Sequence, residues 1–270
     1  MGDGDNSKFY DVWIHAISLG ENVYRANGGE PVRYTRHIRL ANFGDAGQSA
    51  VESARVLVIG AGGLGSPALM YMAAAGVGTL GIVDDDVVDI TNLQRQVLHS
   101  TPGQGRPKVE TATEALTALN PNVTIEAHQY RITSENAADL VNAYDIVLDC
   151  SDNFATRYLV NSACEAAGVP HVWGALIAYY GQVSVFLHDG ESPTLEDLYP
   201  QSDEYNQLPS PQVKGTFGPV CGMVGSLMAV EAIKILTGVG KIMSGRVALF
   251  DAFGGQMRTI PITKRHNSGA

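Results

Sequence analysis

Apolar residues in this chain fall into short unbroken runs, each closed by small or polar residues. Val56-Leu57-Val58-Ile59 stops at Gly60, Leu80-Gly81-Ile82-Val83 stops at Asp84, and Ile146-Val147-Leu148 stops at Asp149-Cys150. Runs of this kind predict strands over 56–59, 80–83 and 145–150. Between them the spacing becomes helical. Helices are predicted over 67–75, over 108–119 with Asn120-Pro121 as the stop, and over 154–167 with Asp152 or Asn153 as cap. Two shorter helices are expected, one from Asp45 to Ser53 and one capped by Ser134 and ending at Val141. Alternation over 123–127 predicts a half-exposed strand. Strands over 171–177 and 182–187 are joined by Tyr179-Tyr180-Gly181, a connection so short that the pair must be a hairpin. A helix over 220–236 is apolar nearly all round until Glu231, hence buried, and stops at Gly238. Strands over 247–250 and 256–262 flank Gly254-Gly255. The stretch 189–218 lacks periodicity and holds Pro193, Pro200, Pro209 and Pro211; so long an irregular segment in a compact domain is functional or mobile. The pattern predicts an α/β fold, with a doubly wound mixed sheet that is parallel in its N-terminal half and antiparallel in its C-terminal strands. One domain is expected over 31–263, between an N-terminal extension at 1–30 and a polar tail at 264–270.

Composition narrows the function. The net charge of −10 and pI near 5.1 argue against partners that need a basic surface, so neither nucleic acid nor an anionic membrane is expected. The most apolar run, 68–83, is broken by Gly76, Gly78 and Gly81 and reads as helix, turn and strand, so no membrane span is expected. The three cysteines, Cys150, Cys164 and Cys221, form no C-x-x-C pair, which leaves neither a four-cysteine zinc site nor a disulfide framework. With no signal-peptide pattern at the start, this usage fits the reducing cytoplasm.

The chemistry is concentrated between residues 55 and 96. Gly60-x-Gly62-x-x-Gly65 follows a strand and opens a helix, with Asp84 at the end of the next strand. This is the Rossmann-like nucleotide fingerprint: a tight turn, close approach of backbone to phosphate, and an acid for the ribose. No Lys-Ser/Thr pair follows the last glycine, so it is not a P-loop. Asn92, Arg95 and Gln96 cluster in a turn after Asp84; a dinucleotide dehydrogenase has no general use for that arginine, whereas phosphoryl chemistry does. Taken singly, Arg33, Arg36 and Arg39 read as a solvated helix face, Lys108 as an exposed helix start, Arg95 as a surface ion pair and His171 as a packed histidine. Asp152 reads as a cap or as a metal–phosphate ligand.

Together these blocks resemble the ThiF/MoeB family of small relatives of the ubiquitin-activating enzymes. The blocks are Arg33-Tyr34-x-Arg36, Gly60-x-Gly62-Gly63-Leu64-Gly65-Ser66, Asp84-x-Asp86 with Asn92-Leu93-Gln94-Arg95-Gln96, Gly105-x-Pro107-Lys108, Asp149-Cys150-x-Asp152-Asn153, and Gly225-Ser226 to Glu231-Ala232-x-Lys234. The resemblance implies ATP-dependent adenylylation of the C-terminal Gly-Gly carboxylate of a ubiquitin-like sulfur-carrier protein, with a sulfur donor protein acting afterwards. It implies that Asp84 holds the ribose, Gly62 and Gly63 approach the nucleotide, Arg95 and Lys108 neutralise phosphate oxygens, Asn92 orients them, and Asp152 anchors Mg²⁺ beside Asn153. It further implies a homodimer in which Arg36 reaches the partner's triphosphate, and a 189–218 loop that covers the carrier's tail.

Two departures stand out. Relatives often carry two zinc-binding C-x-x-C pairs, and many carry a cysteine in the loop before the late helix; this chain has neither, so no zinc is expected. Cys221, where the late helix begins, is either a helix-activated thiolate or, as the apolar flanks favour, a small buried hydrophobe. Other readings of the same glycines are a nicotinamide-dependent oxidoreductase, a relative that activates a peptide or a tRNA base, and a non-catalytic nucleotide module.

Overall fold

A computed structural model describes residues 33–206 and 214–265. Among them eight strands form one mixed sheet in the order β3-β2-β1-β4-β5-β6-β7-β8. The parallel half consists of β1 (Arg55–Ile59), β2 (Thr79–Val83), β3 (Thr124–His128), β4 (Ile146–Asp149) and β5 (His171–Ile177). The antiparallel half adds β6 (Tyr180–Phe186), β7 (Arg246–Asp251) and β8 (Gln256–Pro261). The helices are α1 (Thr35–Ile38), α2 (Gly44–Ser53), α3 (Gly65–Ala75), α4 (Lys108–Leu119), α5 (Ala137–Asn142), α6 (Phe154–Ala167), α7 (Leu195–Leu198), α8 (Asp203–Asn206) and α9 (Gly218–Thr237).

The apolar runs are explained by burial on both faces. Along β1, Val56 and Val58 join a core shared with α3, α4 and α9, while Leu57 and Ile59 join a second core under α5 and α6. Each fully buried side chain of this size is worth roughly 1.5–3 kcal/mol, so the central strand is fixed from both sides. α9 has the length and apolarity of a membrane span. It is instead the central helix of the first core, with Val220, Val224, Met228 and Ala232 fully buried against α3 and β5.

Several boundaries differ from the sequence expectation, each for a local reason. The strand expected over 123–127 is β3, shifted by one residue, and its burial does not alternate. It is the sheet edge, and Glu126 is occupied by the Arg55 guanidinium at 2.9 Å and the Tyr144 hydroxyl at 2.6 Å. Ser134 caps nothing: Thr133 N–H donates to Asn136 Oδ1 and the Asn136 amide donates to the Arg131 carbonyl, so the turn runs on and α5 starts at Ala137. Tyr180 and Gly181 belong to β6, leaving Ala178 and Tyr179 as the hairpin connection, with Ala178 at φ +52°. The irregular stretch contains the single turns α7 and α8, and α9 begins already at Gly218. α9 is not buried all round, since Met223 and Val230 are exposed, but Glu231 itself is buried, and its carboxylate accepts from Met243 N–H at 2.7 Å and pairs with Lys234. The expected extension at 1–30 lies outside the described residues, as does most of the tail. Lys264 and Arg265 tie the tail's start to Gly190 and Asp197.

Candidate active site

The parallel strands end on one side of the sheet, where open α/β sheets hold ligands. A pocket lies there, between the loop after β1, the acids after β2, the start of α4 and the loop after β4. It is lined by Gly60, Gly62, Gly63, Asp84, Arg95, Gln96, Lys108, Asp152 and Asn153, nine residues singled out from sequence. Gly65, Asn92 and Arg36 are outside the lining. Gly65 acts from behind: a Cβ there would lie 1.9 Å from the Gly60 carbonyl oxygen, so only glycine lets α3 dock on the loop. The backbone carbonyl of Asn92 accepts from Arg95 N–H and Gln96 N–H, both at 3.0 Å, and so shapes their turn. Arg36 is exposed on α1.

The glycine loop is held at Ala61. Its N–H donates to Asp84 Oδ2 at 2.8 Å, and its carbonyl accepts from His99 Nε2 at 2.9 Å. His99 is buried, its other nitrogen lies 2.8 Å from Thr111 Oγ1, and burial lowers its pKa, so it serves as a neutral ring. Sequence reading missed His99; only its place just after the Asn92–Gln96 turn hinted at it. Burial pushes the Asp84 carboxyl up, against the pull of Lys108 and two backbone N–H groups. Lys108 is not the exposed lysine its sequence suggests. Its side chain is 5 % exposed and its Nζ lies 2.8 Å from Asp86 and 4.0 Å from Asp84. Gln96 is also buried, and its Oε1 has no partner among the described residues. A buried carbonyl without a donor, beside backbone that approaches closely, suits a polar ligand.

Asn153, not Asp152, caps α6, since its Oδ1 accepts from Thr156 N–H at 2.9 Å. That leaves the Asp152 carboxylate exposed, with one long contact, 3.3 Å from the Asn153 amide. Asp84, Asp85 and Asp86 bring carboxylates within 4.8 Å of one another, but Asp85 pairs with Arg131 and Asp86 with Lys108. Among the described residues Asp152 has no ion pair, so it is the pocket carboxylate open to a cation. One open carboxylate beside a phosphate-sized cradle fits Mg²⁺, which keeps most of its water and takes few protein ligands.

Arg157 also lines the pocket, and sequence reading missed it. It sits one turn into α6 and is buried over the Phe154 and Trp173 rings, at 5.0 and 5.6 Å. Its signal was its spacing of four residues from Asn153. His171 is fully buried, as a packed histidine should be, with Nε2 3.6 Å from Asp149. Cys221 lines the pocket against Gly63, and burial pushes its thiol up to about 11, only partly offset by Arg95. Desolvation thus outweighs the helix N-terminus, and the thiol is not an activated one.

A model of the ThiF family matches residues 34–270. The chain is 48 % identical over 238 residues to the probable adenylyltransferase/sulfurtransferase MoeZ of Mycobacterium tuberculosis, covering 87 % of this chain and 61 % of that protein. It therefore spans about three-fifths of that relative's length. It is 45 % identical over 236 residues to a sulfur carrier protein adenylyltransferase of Thermus thermophilus, covering 86 % of this chain and 87 % of that one. Among solved structures, Escherichia coli MccB with ATP superposes with a TM-score of 0.79 over 97 % of this chain and 81 % of that one, at 20 % identity. At that identity the likeness shows a shared fold.

Proposed function

The chain belongs to the ThiF family, and from that premise we propose that it is an ATP-dependent adenylyltransferase. Its substrate is the C-terminal glycine carboxylate of a ubiquitin-like sulfur-carrier protein. The observation that carries the reading is that one and the same pocket joins the glycine loop and Asp84 to Arg95, Lys108 and an Asp152 without an ion pair among the described residues. The relatives whose names specify adenylylation support it.

In this reading the carboxylate of the carrier's tail attacks the α-phosphorus of ATP. A new bond forms between carboxylate oxygen and phosphorus while the bond to the bridging oxygen breaks, giving an acyl-adenylate and pyrophosphate. Both reactants are anionic and the nucleophile is weak, so the site must align them and neutralise charge. Asp84 holds the ribose hydroxyls. The Gly62–Gly63 backbone borders the phosphates, and the buried Gln96 carbonyl accepts a donor from the nucleotide. Arg95 and Lys108 face the phosphate oxygens; Lys108 exchanges Asp86 for phosphate as its counter-ion. Asp152 would hold Mg²⁺, which would supply charge neutralisation at the triphosphate. The tail enters past Leu176 and Thr216, which line the pocket.

The protein works as a homodimer in which Arg36 completes the partner's pocket. Two observations support this: Arg36 is exposed and does not line its own pocket, and the packed helices α3 and α9 leave Met70, Tyr71, Met223 and Val230 exposed. Transfer of sulfur to the adenylate relies on an external donor protein, because all three cysteines are buried. The protein is cytoplasmic and needs no zinc. The test is exchange of pyrophosphate into ATP, with and without a carrier ending in Gly-Gly. Carrier-dependent exchange is expected. Hydride transfer from a nicotinamide cofactor without exchange would replace this reading with an oxidoreductase, and nucleotide binding without either reaction would leave a docking module.

A further inference from the structure

The loop that carries Asp152 is built in an unusual way. Ser151, immediately before it, has a side-chain hydroxyl that is buried and makes no hydrogen bond among the described residues. Its two backbone groups are both taken by buried charged side chains. Ser151 N–H donates to Asp149 Oδ1 at 2.9 Å, and Ser151 C=O accepts from Arg157 Nη2 at 3.0 Å. Because peptide units are planar, these two bonds fix the plane before Ser151 and the plane leading into Asp152. On the far side, Asn153 is locked as the cap of α6, and Arg157 N–H returns to the Asn153 carbonyl at 3.2 Å. Asp152 is thus bracketed by fixed backbone while its own carboxylate stays open.

The clamp is expensive to bury, so its presence calls for a reason. Asp149 is fully buried and Arg157 is 6 % exposed. The second Asp149 oxygen makes no hydrogen bond among the described residues and lies 3.6 Å from His171 Nε2, and the guanidinium is wedged over Phe154 and Trp173. Burial alone would raise the Asp149 pKa; His171, and Arg157 after it, more than offset that and bring it below the usual carboxylate value. A loop that needed only to be stable could be satisfied by water or neutral groups at lower cost.

We propose that Arg157 and Asp149 are positioning residues for metal binding: they grip the Ser151 backbone so that Asp152 is held at the angle at which it takes Mg²⁺ beside the triphosphate. The inference rests on the proposed role of Asp152. Partners that orient a metal ligand typically contribute about 10–100-fold in metal affinity.

The experiment titrates Mn²⁺, followed by electron paramagnetic resonance, into full-length protein saturated with the α,β-methylene analogue of ATP. The variants are Arg157→Met, Arg157→Lys, Asp149→Asn and Asp152→Asn, each first melted to establish the folded fraction. Arg157→Met is expected to weaken Mn²⁺ binding by about tenfold or more. Arg157→Lys, whose ammonium can still donate to the Ser151 carbonyl, is expected to recover part of that loss. A merely structural role would lower the melting temperature and leave the affinity of the folded fraction unchanged. If Arg157→Met does not fold, Arg157→Lys and Asp149→Asn decide the matter: wild-type Mn²⁺ affinity in both overturns the proposal, and weakened affinity supports it. If Asp152→Asn weakens Mn²⁺ binding while folded Arg157 and Asp149 variants do not, the clamp proposal alone is wrong. If Asp152→Asn binds Mn²⁺ like the wild type, Asp152 is not the metal ligand and both readings fall.

Discussion

At the scale of residues, charge placement separates this pocket from a dinucleotide site. Arg95→Ala and Lys108→Ala should each slow carrier-dependent pyrophosphate exchange by about a hundredfold to a thousandfold, since a preorganised charge at a transition state is worth about 3–4 kcal/mol. Circular dichroism should show both variants folded, and exchange near the wild-type rate in both would remove the assignment. Lys108 illustrates what residue type alone hides. Its burial depends on Asp84 and Asp86, which reach it from after β2, a contact that sequence separation conceals. His188 carries a different consequence. Burial, with His171 stacked beside it at 6.0 Å and Asp189 only partly offsetting, pushes its pKa down to about 3. In the unfolded chain a histidine takes its proton near pH 6.5. Between these values the unfolded state holds the extra proton, so this contribution to stability is present above about pH 6.5 and is lost as pH falls. Thermal melts of His188→Gln at pH 7 and pH 4.5 should therefore show a smaller acid loss than the wild type.

At the scale of elements, the helices and central strands were legible because apolar runs and caps are local signals. α4 and α6 have the bounds read from sequence, 108–119 and 154–167. The misread boundaries lie where specific side-chain hydrogen bonds, distant or local, decide. β3 slips because Arg55 and Tyr144 claim Glu126, and α5 starts late because Asn136 bonds backwards to Thr133 and Arg131. The same division holds for the pocket. Gly60, Asp84, Arg95 and Lys108 belong to spaced motifs, whereas His99 and Arg157 act by bonding backbone that only the fold brings near. The join between β1 and α3 gives the sharpest test. A Cβ at Gly65 would collide with the Gly60 carbonyl, so Gly65→Ala must push helix from strand. A loss of roughly 1–3 kcal/mol, typical of overpacking, is expected from denaturant midpoints. ATP affinity should fall with it; a variant with unchanged stability and affinity would show that the loop tolerates the shift.

At the scale of the whole molecule, the sheet divides its labour, with parallel strands framing the nucleotide pocket and the β5–β6 hairpin reaching its rim at Leu176. The shared-site reading of Arg36 makes a population prediction. On that reading Arg36→Ala and Lys108→Ala proteins would each be inactive as homodimers, but a heterodimer would carry both defects in one pocket and none in the other. Equal mixing with complete exchange should restore roughly one quarter of wild-type activity, the statistical share of intact pockets in a twofold dimer. No recovery after exchange verified by mass spectrometry would confine each pocket to one chain. α9 adds a consequence in time. Cys221 abuts Gly63, and a Cβ at Gly225 would lie 2.3 Å from the Leu64 carbonyl oxygen, so the glycine loop is moulded against a helix made far later in the chain. During synthesis the β1–α3 unit leaves the ribosome with its fingerprint intact and one wall of the pocket missing. A chain cut short before α9 carries the motif without the wall that completes the pocket.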